Sequence, residues 1–379
     1  MAGIYVHIPF CKSRCIYCDF FSTTSLEERD RYVVAVKREL EIRKDYLPQT
    51  TRIDTVYFGG GTPSMLRAEQ LCDILNHIRK IYDVSPLAEI TAEGNPDDLS
   101  TEYLSTLRQG GFNRLSMGVQ TFSNERLRFL CRRHTVEVAE QAVSNARKAG
   151  FENISIDLMY GFPGETLEEW EKDIEKALCL KPEHISAYAL MYEEGTRLWT
   201  MLERGTVEEI DENLSLSMYE TLMERLRIAG YEHYEISNFC KPDHHSRHNS
   251  SYWEGVPYIG IGAAAHSFDG LSRQWNPESL NEYFRGIESG APSFEKERLT
   301  NSQRYDEMVM TGLRTAKGVD LRKLENMFGK DALDYCMSNA QPHIEAGRMT
   351  IEGNRILKLS KAGIFTSDDI MSDLMMATE

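Results

Sequence analysis

Long apolar runs are missing from this chain. No stretch approaches the ~20 apolar residues that a membrane-spanning helix needs. Ile4 to Phe10 is too short for a secretion leader and has neither a basic lead-in nor a cleavage site. Positive charge is scarce too: 43 Lys and Arg face 59 Asp and Glu, a formal net charge of -16. Phosphate binding needs a basic face, so nucleic acid is not expected as the main partner. No disulfide framework is visible. Of the eight cysteines, Cys72, Cys131, Cys179, Cys240 and Cys336 are scattered singly, as in a reducing compartment. These absences together give the expectation of a cytoplasmic protein. Low-complexity tracts, internal repeats and Pro/Gly/Ser linkers are also lacking. At 379 residues and 41% hydrophobic, the chain has material for two or three domains, or for one large barrel with an appendage.

What is present begins with the remaining three cysteines. Cys11, Cys15 and Cys18 stand at C-x3-C-x2-C spacing in a short loop after the apolar run Ile4–Ile8. Thiolates this close hold something soft, an iron–sulfur cluster or zinc. A closed zinc site wants four ligands, and no second cysteine pair follows. Three ligands on a four-iron cluster leave one iron open to a small molecule. Zinc, or three unrelated thiols, are the bland alternatives.

The chain then alternates strand and helix patterns six times. Strands are expected at Ile4–Ile8, Asp54–Phe58, Glu89–Glu93, Arg114–Val119, Asn153–Met159 and His184–Leu190. A helix opens after Ser25, with Ser25 as N-cap and Glu28 as its capping-box partner. Alternation of this kind predicts an α/β fold with a parallel sheet, curled into an incomplete barrel or left as an open doubly wound sheet. A helix from Glu208 to Ala229 closes a first domain, residues 1–230. Residues 231–298, rich in aromatics, His and Gly, are expected to be a linking segment. Residues 299–379 are expected to form a helical, winged-helix-like domain with a hairpin near Gly353-Asn354, packing as a lid rather than binding DNA.

Ligands of parallel α/β folds bind beyond the carboxyl ends of the strands. The expected strands end in the cysteine loop, in Gly59-Gly60-Gly61-Thr62-Pro63, at Glu93, at Gln120 and around Asp157. The glycines permit close backbone approach, although a tight turn explains them equally. Glu93 and Asp157 suit ribose hydroxyls, Gln120 is a neutral hydrogen-bonding group, and Arg132 suits a carboxylate. An amino-acid end, a ribose and a sulfonium match this set, and S-adenosylmethionine (SAM) carries all three.

The cysteine triplet followed by Gly59-Gly60-Gly61-Thr62-Pro63 resembles the radical SAM signature. His7-Ile8-Pro9-Phe10-Cys11, Ser116-Met117-Gly118-Val119-Gln120 and Asp157-Leu158-Met159-Tyr160-Gly161 resemble the anaerobic coproporphyrinogen III dehydrogenase family. The resemblance implies a partial (β/α)6 barrel in which Cys11, Cys15 and Cys18 bind a 4Fe-4S cluster. It further implies that Tyr5, Gly60, Gly61, Thr62, Glu93, Gln120, Arg132 and Asp157 line a SAM site. Met191 and His266 fall at weaker matches.

Two departures point to the heme chaperone branch of that family. Phe20 stands where the dehydrogenases carry a fourth cysteine, and the first expected strand begins at about residue 3, without their N-terminal extension. That branch also has a His-Asn-x-x-Tyr-Trp motif, matched here by His248-Asn249-Ser250-Ser251-Tyr252-Trp253. The implied cargo is heme, with His248 as candidate axial ligand. The implied acceptors are hemoproteins, membrane-bound respiratory ones among them. The alternatives at this point are oxidative decarboxylation of coproporphyrinogen III to protoporphyrinogen IX, and a zinc-dependent interaction module. Whether the chain is an enzyme stays open. The cluster at Cys240, Asp243, His244 and His245 suits a metal ion or a solvated turn.

Overall fold

A computed structural model describes residues 1–376, so the last three residues of the expected 299–379 domain lie outside the described part. The six expected strands are β1 (Ala2–Ile8), β2 (Ile53–Gly60), β3 (Val84–Gly94), β4 (Arg114–Gln120), β5 (Asn153–Tyr160) and β6 (His184–Ala189). Helices α1 (Arg29–Ile42), α2 (Ala68–Ile81), α3 (Thr101–Gly110), α4 (Asn124–Phe129), α5 (Val136–Lys148) and α6 (Leu167–Cys179) make the crossovers. Then follow α7 (Arg197–Glu203) and α8 (Glu212–Ile228). The strands pair in parallel in sequence order from β1 to β6, with helices layered outside, which is the incomplete-barrel reading of the alternation.

The start of α1 differs from expectation. A 3-10 turn at Leu26–Glu28 intervenes, the Ser25 side chain makes no capping bond, and the Ser25 amide instead donates to Thr23 Oγ1 at 3.1 Å. The cause is the return of the cysteine loop. Thr23 is tied to Pro9 and Cys11 by backbone bonds of 2.6 and 2.9 Å, which fixes the entry direction before the helix can begin.

Residues 231–298 are not a linker. They supply β7 (Glu232–Glu235), β8 (Asn238–Cys240), α9 (Arg247–Trp253), β9 (Tyr258–Ile261), β10 (His266–Phe268), β11 (Ser272–Trp275), α10 (Leu280–Glu288) and β12 (Glu295–Arg298). These strands join the same sheet, twelve strands in the order β12-β11-β10-β9-β1-β2-β3-β4-β5-β6-β8-β7. β9 runs parallel to β1, and the other five are antiparallel extensions at the two edges. The segment is fastened to α1 through Glu39. This fully buried carboxylate accepts from Arg43, Gly262 N, Asn276 Nδ2 and Tyr283 Oη at 2.7–3.1 Å.

Period-two alternation sorts the barrel strands into two faces. Ile4, Val6, Ile8, Val56, Phe58, Leu115, Ile156 and Ile185 belong to the apolar core shared with the helices. The opposite residues line a polar lumen, set side by side by the register: Tyr5 beside Tyr57, His7 beside Gly59, Glu93 beside Ser116, Gly118 beside Asp157, and Asp157 beside Ser186.

The C-terminal unit has its own core around Tyr305, Leu313, Leu324, Cys336, Leu357 and Ile370. It comprises α11 (Asn301–Leu313), β13 (Val319–Asp320), α12 (Leu321–Phe328), α13 (Lys330–Glu345), β14 (Met349–Glu352), β15 (Ile356–Leu359), α14 (Lys361–Ile364) and α15 (Ser367–Leu374). Its sheet has the order β13-β15-β14, as expected of a winged-helix-like unit. The unit docks on β7 through Ile236 N to Arg314 O (3.1 Å) and Ala316 N to Tyr234 O (3.0 Å).

Candidate functional site at the mouth of the barrel

The cysteine loop leaves β1 over the carboxyl ends of the strands. Ile16 anchors it. Only 3% exposed, Ile16 packs among Leu130, Phe162, Leu190 and Leu198, and backbone bonds tie it to Leu130 O and Leu198 N. Its neighbours Cys15 and Cys18 are half-buried, and Cys11 is buried with its Sγ 3.4 Å from Thr62 Oγ1. Burial raises the Cys18 thiol pKa above its ordinary value, and the neighbouring Cys15 and Cys11 sulfurs add to the effect.

The donor spacing tests the zinc alternative. Thiolates around one tetrahedral zinc ion stand ~4 Å apart. Among the described residues, the group whose three donor atoms all lie within 4.8 Å of one another is Glu232, Cys240 and His245, not the loop thiols. The three loop thiols are thus not all within that distance of one another, a spacing that a polynuclear cluster accommodates.

The glycine run meets the loop from β2. Gly60 has φ +107°, and a Cβ there would lie 2.5 Å from the His7 imidazole. At Gly61 a Cβ would meet the carbonyls of Ile8 and Phe10 at 3.0 and 3.1 Å, and Gly61 N donates to Ile8 O at 2.9 Å. These glycines let two loops close on each other, so their first task is to seat the cysteine loop. His7 is held between Tyr5 Oη (3.0 Å) and Phe21 O (3.1 Å), and burial lowers its pKa to about 4. Tyr5 thus spends its hydroxyl on His7, with its ring stacked 6.3 Å from Tyr57.

The polar strand ends lie at the mouth of the barrel. Glu93 accepts from Tyr57 Oη at 2.6 Å; burial pushes its pKa up to about 7, against the pull of that hydrogen bond. Asp157 accepts from Ser116 Oγ at 3.3 Å, and burial pushes it up to about 6. Both carboxylates stay half-buried, open to the lumen. Gln120 sits at φ +68°, beside a register shift between Gly118 and Gln120. That left-handed turn folds its side chain back over Gly118, where a Cβ would meet Gln120 Nε2 at 2.8 Å and Arg132 Nη2 at 2.9 Å.

Arg132 donates to Gly118 O (2.5 Å), Asn95 Oδ1 (2.6 Å) and Cys15 Sγ (3.7 Å), joining the cysteine loop to the strand ends. Among the weaker candidates, His266 and Met191 are exposed, and Phe20 is 68% exposed. Sequence reasoning missed Tyr57, Asn95 and Arg114. Tyr57 carried a signal, since period two places it on the lumen face with Tyr5 across the register. Arg114 is 1% exposed, and its Nε and Nη1 have no partner among the described residues.

His248 has both ring nitrogens occupied in this structure. It is 1% exposed, with Nδ1 2.8 Å from Thr55 Oγ1 and Nε2 2.8 Å from Tyr252 Oη. Glu89 accepts from the amides of Arg247 and His248 at 3.1 and 3.0 Å, fixing the first turn of α9. Both imidazole nitrogens are engaged, so His248 is the floor of the barrel lumen, at the end opposite the cysteine loop.

A parallel barrel with a cysteine triplet and polar strand ends at its mouth defines a radical SAM protein, and the Radical SAM superfamily profile matches residues 5–177. The HemN C-terminal domain profile matches residues 299–366. The chain is 37% identical over 335 residues to "Heme chaperone HemW" of Bacillus subtilis, covering 87% of this chain and 88% of that one. It is 33% identical to "Radical S-adenosyl methionine domain-containing protein 1, mitochondrial" of Danio rerio, covering 100% and 88%. The crystal structure of coproporphyrinogen III oxidase (HemN) from Escherichia coli superposes with a TM-score of 0.85 at 23% identity, covering 100% of this chain and 90% of that one, a likeness of fold. The chain belongs to the HemW heme chaperone family, within the radical SAM superfamily. Membership implies a 4Fe-4S cluster and SAM, and the wide thiol spacing and open carboxylates fit both.

Proposed function

We propose that this chain binds heme and hands it to hemoproteins, respiratory membrane proteins among them. The near full-length match to heme chaperones carries the reading. Cys11, Cys15 and Cys18 hold the 4Fe-4S cluster in this proposal. SAM lies against Gly60, Gly61, Thr62, Glu93, Gln120, Arg132 and Asp157, with Tyr5 behind them supporting His7. When bound, the cluster and SAM together supply one-electron reductive chemistry.

The chain's own groups have separable tasks. Arg132 offers a guanidinium to a carboxylate and stays charged, because the phenol of Tyr17 and the thiol of Cys15 outweigh the burial that opposes it. Glu93 and Asp157 offer carboxyl oxygens to ribose hydroxyls. Ile16 and the seated glycines hold the loop rigid and keep water from its inner side. Phe20 brings an exposed apolar surface where the dehydrogenases carry a further cysteine.

Anaerobic reconstitution should give about four irons per chain, and Cys15→Ala should lose them. Arg132→Met should weaken SAM binding about tenfold or more, the loss of a charge-assisted hydrogen bond. Incubation with coproporphyrinogen III, SAM and a reductant should give no porphyrin; product at enzymatic turnover overturns the carrier reading.

A further inference from the structure

A large cleft lies away from the cysteine loop. It holds about 1240 Å³ between the floor of the barrel and the C-terminal unit, reached from the amino ends of β1 and β2. Ligand pockets for small molecules run to about 300–1,000 Å³, so the cleft is roomy enough for a macrocycle. The geometry points to this cleft as the heme site, with His245 as the axial ligand in place of His248. The inference rests on the heme-carrying reading above.

Four features carry it. The walls suit a flat apolar ring: Trp253 and Tyr252 stand on the barrel side, Met308 and Met310 on α11 opposite. Cations are available for two propionates. Arg304 and Lys323 line the cleft and make no ion pair with a carboxylate among the described residues. Two residues of its wall also carry buried donors, Trp253 Nε1 and Arg273 Nε, that have no hydrogen-bond acceptor among the described residues. A histidine on its wall is built as a ligand. His245 gives Nε2 to Glu232 Oε2 at 3.1 Å, packs its ring 4.5 Å from that of Tyr234, and makes no hydrogen bond through Nδ1 among the described residues. A carboxylate on one ring nitrogen is the usual way of orienting the other toward a metal. His233, the other histidine of the cleft, spends Nε2 on Ile236 O and lies stacked on Phe239 at 4.3 Å.

The test is an anaerobic hemin titration of the full-length, cluster-loaded protein, read by the Soret band. His245→Ala should shift the band and weaken binding about tenfold or more, with added imidazole restoring the original spectrum. Arg304→Glu with Lys323→Glu should weaken binding by a similar factor and leave the spectrum alone, since both side chains reach solvent and folding does not depend on them. His248→Ala should lower stability and keep the parent spectrum. Hemin binding that ignores both the His245 change and the double charge reversal overturns this site and leaves the carrier reading standing. A parent protein that binds no hemin overturns both.

Discussion

Replacing Gly60 by alanine separates two costs that the structure sets side by side. The first is conformational. At φ +107° an L-residue is disfavoured by roughly 1–2 kcal/mol. The second is steric. The new methyl would stand 2.5 Å from His7 Cε1, and the ring cannot retreat, being 5% exposed and bonded to both Tyr5 and Phe21. Overpacking of this kind costs about 1–3 kcal/mol, so the total is about 2–5 kcal/mol. Gly164→Ala is the control. Gly164 has φ +71°, and a methyl added there would meet nothing within 4 Å, so that variant carries the conformational cost alone, about 1–2 kcal/mol. Urea unfolding of the four members of the Gly60→Ala, His7→Ala cycle measures the steric part directly. In the His7→Ala background the Gly60 change should cost no more than the Gly164 change does in the parent. Iron content should fall alongside, because Phe21 and Thr23 lie on the return of the cysteine loop. An equal cost with and without His7 would refute the argument, as the clash would then lie elsewhere.

Two further outcomes are expected. Glu93 has a folded pKa of about 7 against an ordinary value of 4.5, and Asp157 one of about 6 against 3.8. A raised carboxyl favours the protonated folded state. Its contribution is therefore complete below the ordinary pKa and lost as pH rises through the folded one. Buried His7 and His248, lowered to about 4 and 3, act the other way at acid pH, so the difference between parent and Glu93→Gln isolates the carboxyl. Urea midpoints of SAM-free protein should show the variant gaining on the parent between about pH 5 and 8, and a pH-independent difference would refute the assignment. Glu39→Ala should cost about 3–5 kcal/mol in the same assay, because it leaves the 5% exposed Arg43 guanidinium without its carboxylate and frees the donors of Gly262, Asn276 and Tyr283.

How much was legible in the sequence follows from the range over which each signal acts. The six barrel strands show because each is an apolar run between turn residues, and the cysteine loop shows because its three thiols are local. The converging strand ends follow from the rule that parallel strands deliver their carboxyl ends to one side. The edges of the sheet did not show. β8, β9 and β10 have three or four residues each, too few for an alternation, and the pairings of β8 with β6 and of β9 with β1 join segments far apart in sequence. Glu39 sits in a helix otherwise rich in charge, and nothing local marks it as the one carboxylate taken inside. Ser25 failed as a cap for a similar reason, since the backbone bonds between Thr23 and Pro9 settle the entry to α1 from outside the segment.

The His-Asn-x-x-Tyr-Trp motif shows what such spacing encodes when it lies on a helix. His248 and Tyr252 are four apart on α9, hence on one face, and the bond of 2.8 Å between them follows. Above them His248 stacks on Tyr57 at 5.0 Å, and below them Tyr252 meets Tyr258 edge-on at 4.7 Å. A column of rings thus runs from the lumen, where Tyr57 holds Glu93, to the cleft, where Tyr252 and Tyr258 form part of the wall. Trp253, one residue on, turns about 100° away along the helix and presents its edge to the cleft beside Arg314, whose guanidinium lies 4.9 Å above the ring. Sequence alone suggests that the histidine takes the ligand and the aromatics line it. The structure divides the work differently, because a histidine with both nitrogens bonded closes the barrel, and the aromatic half of the motif is what faces the cleft.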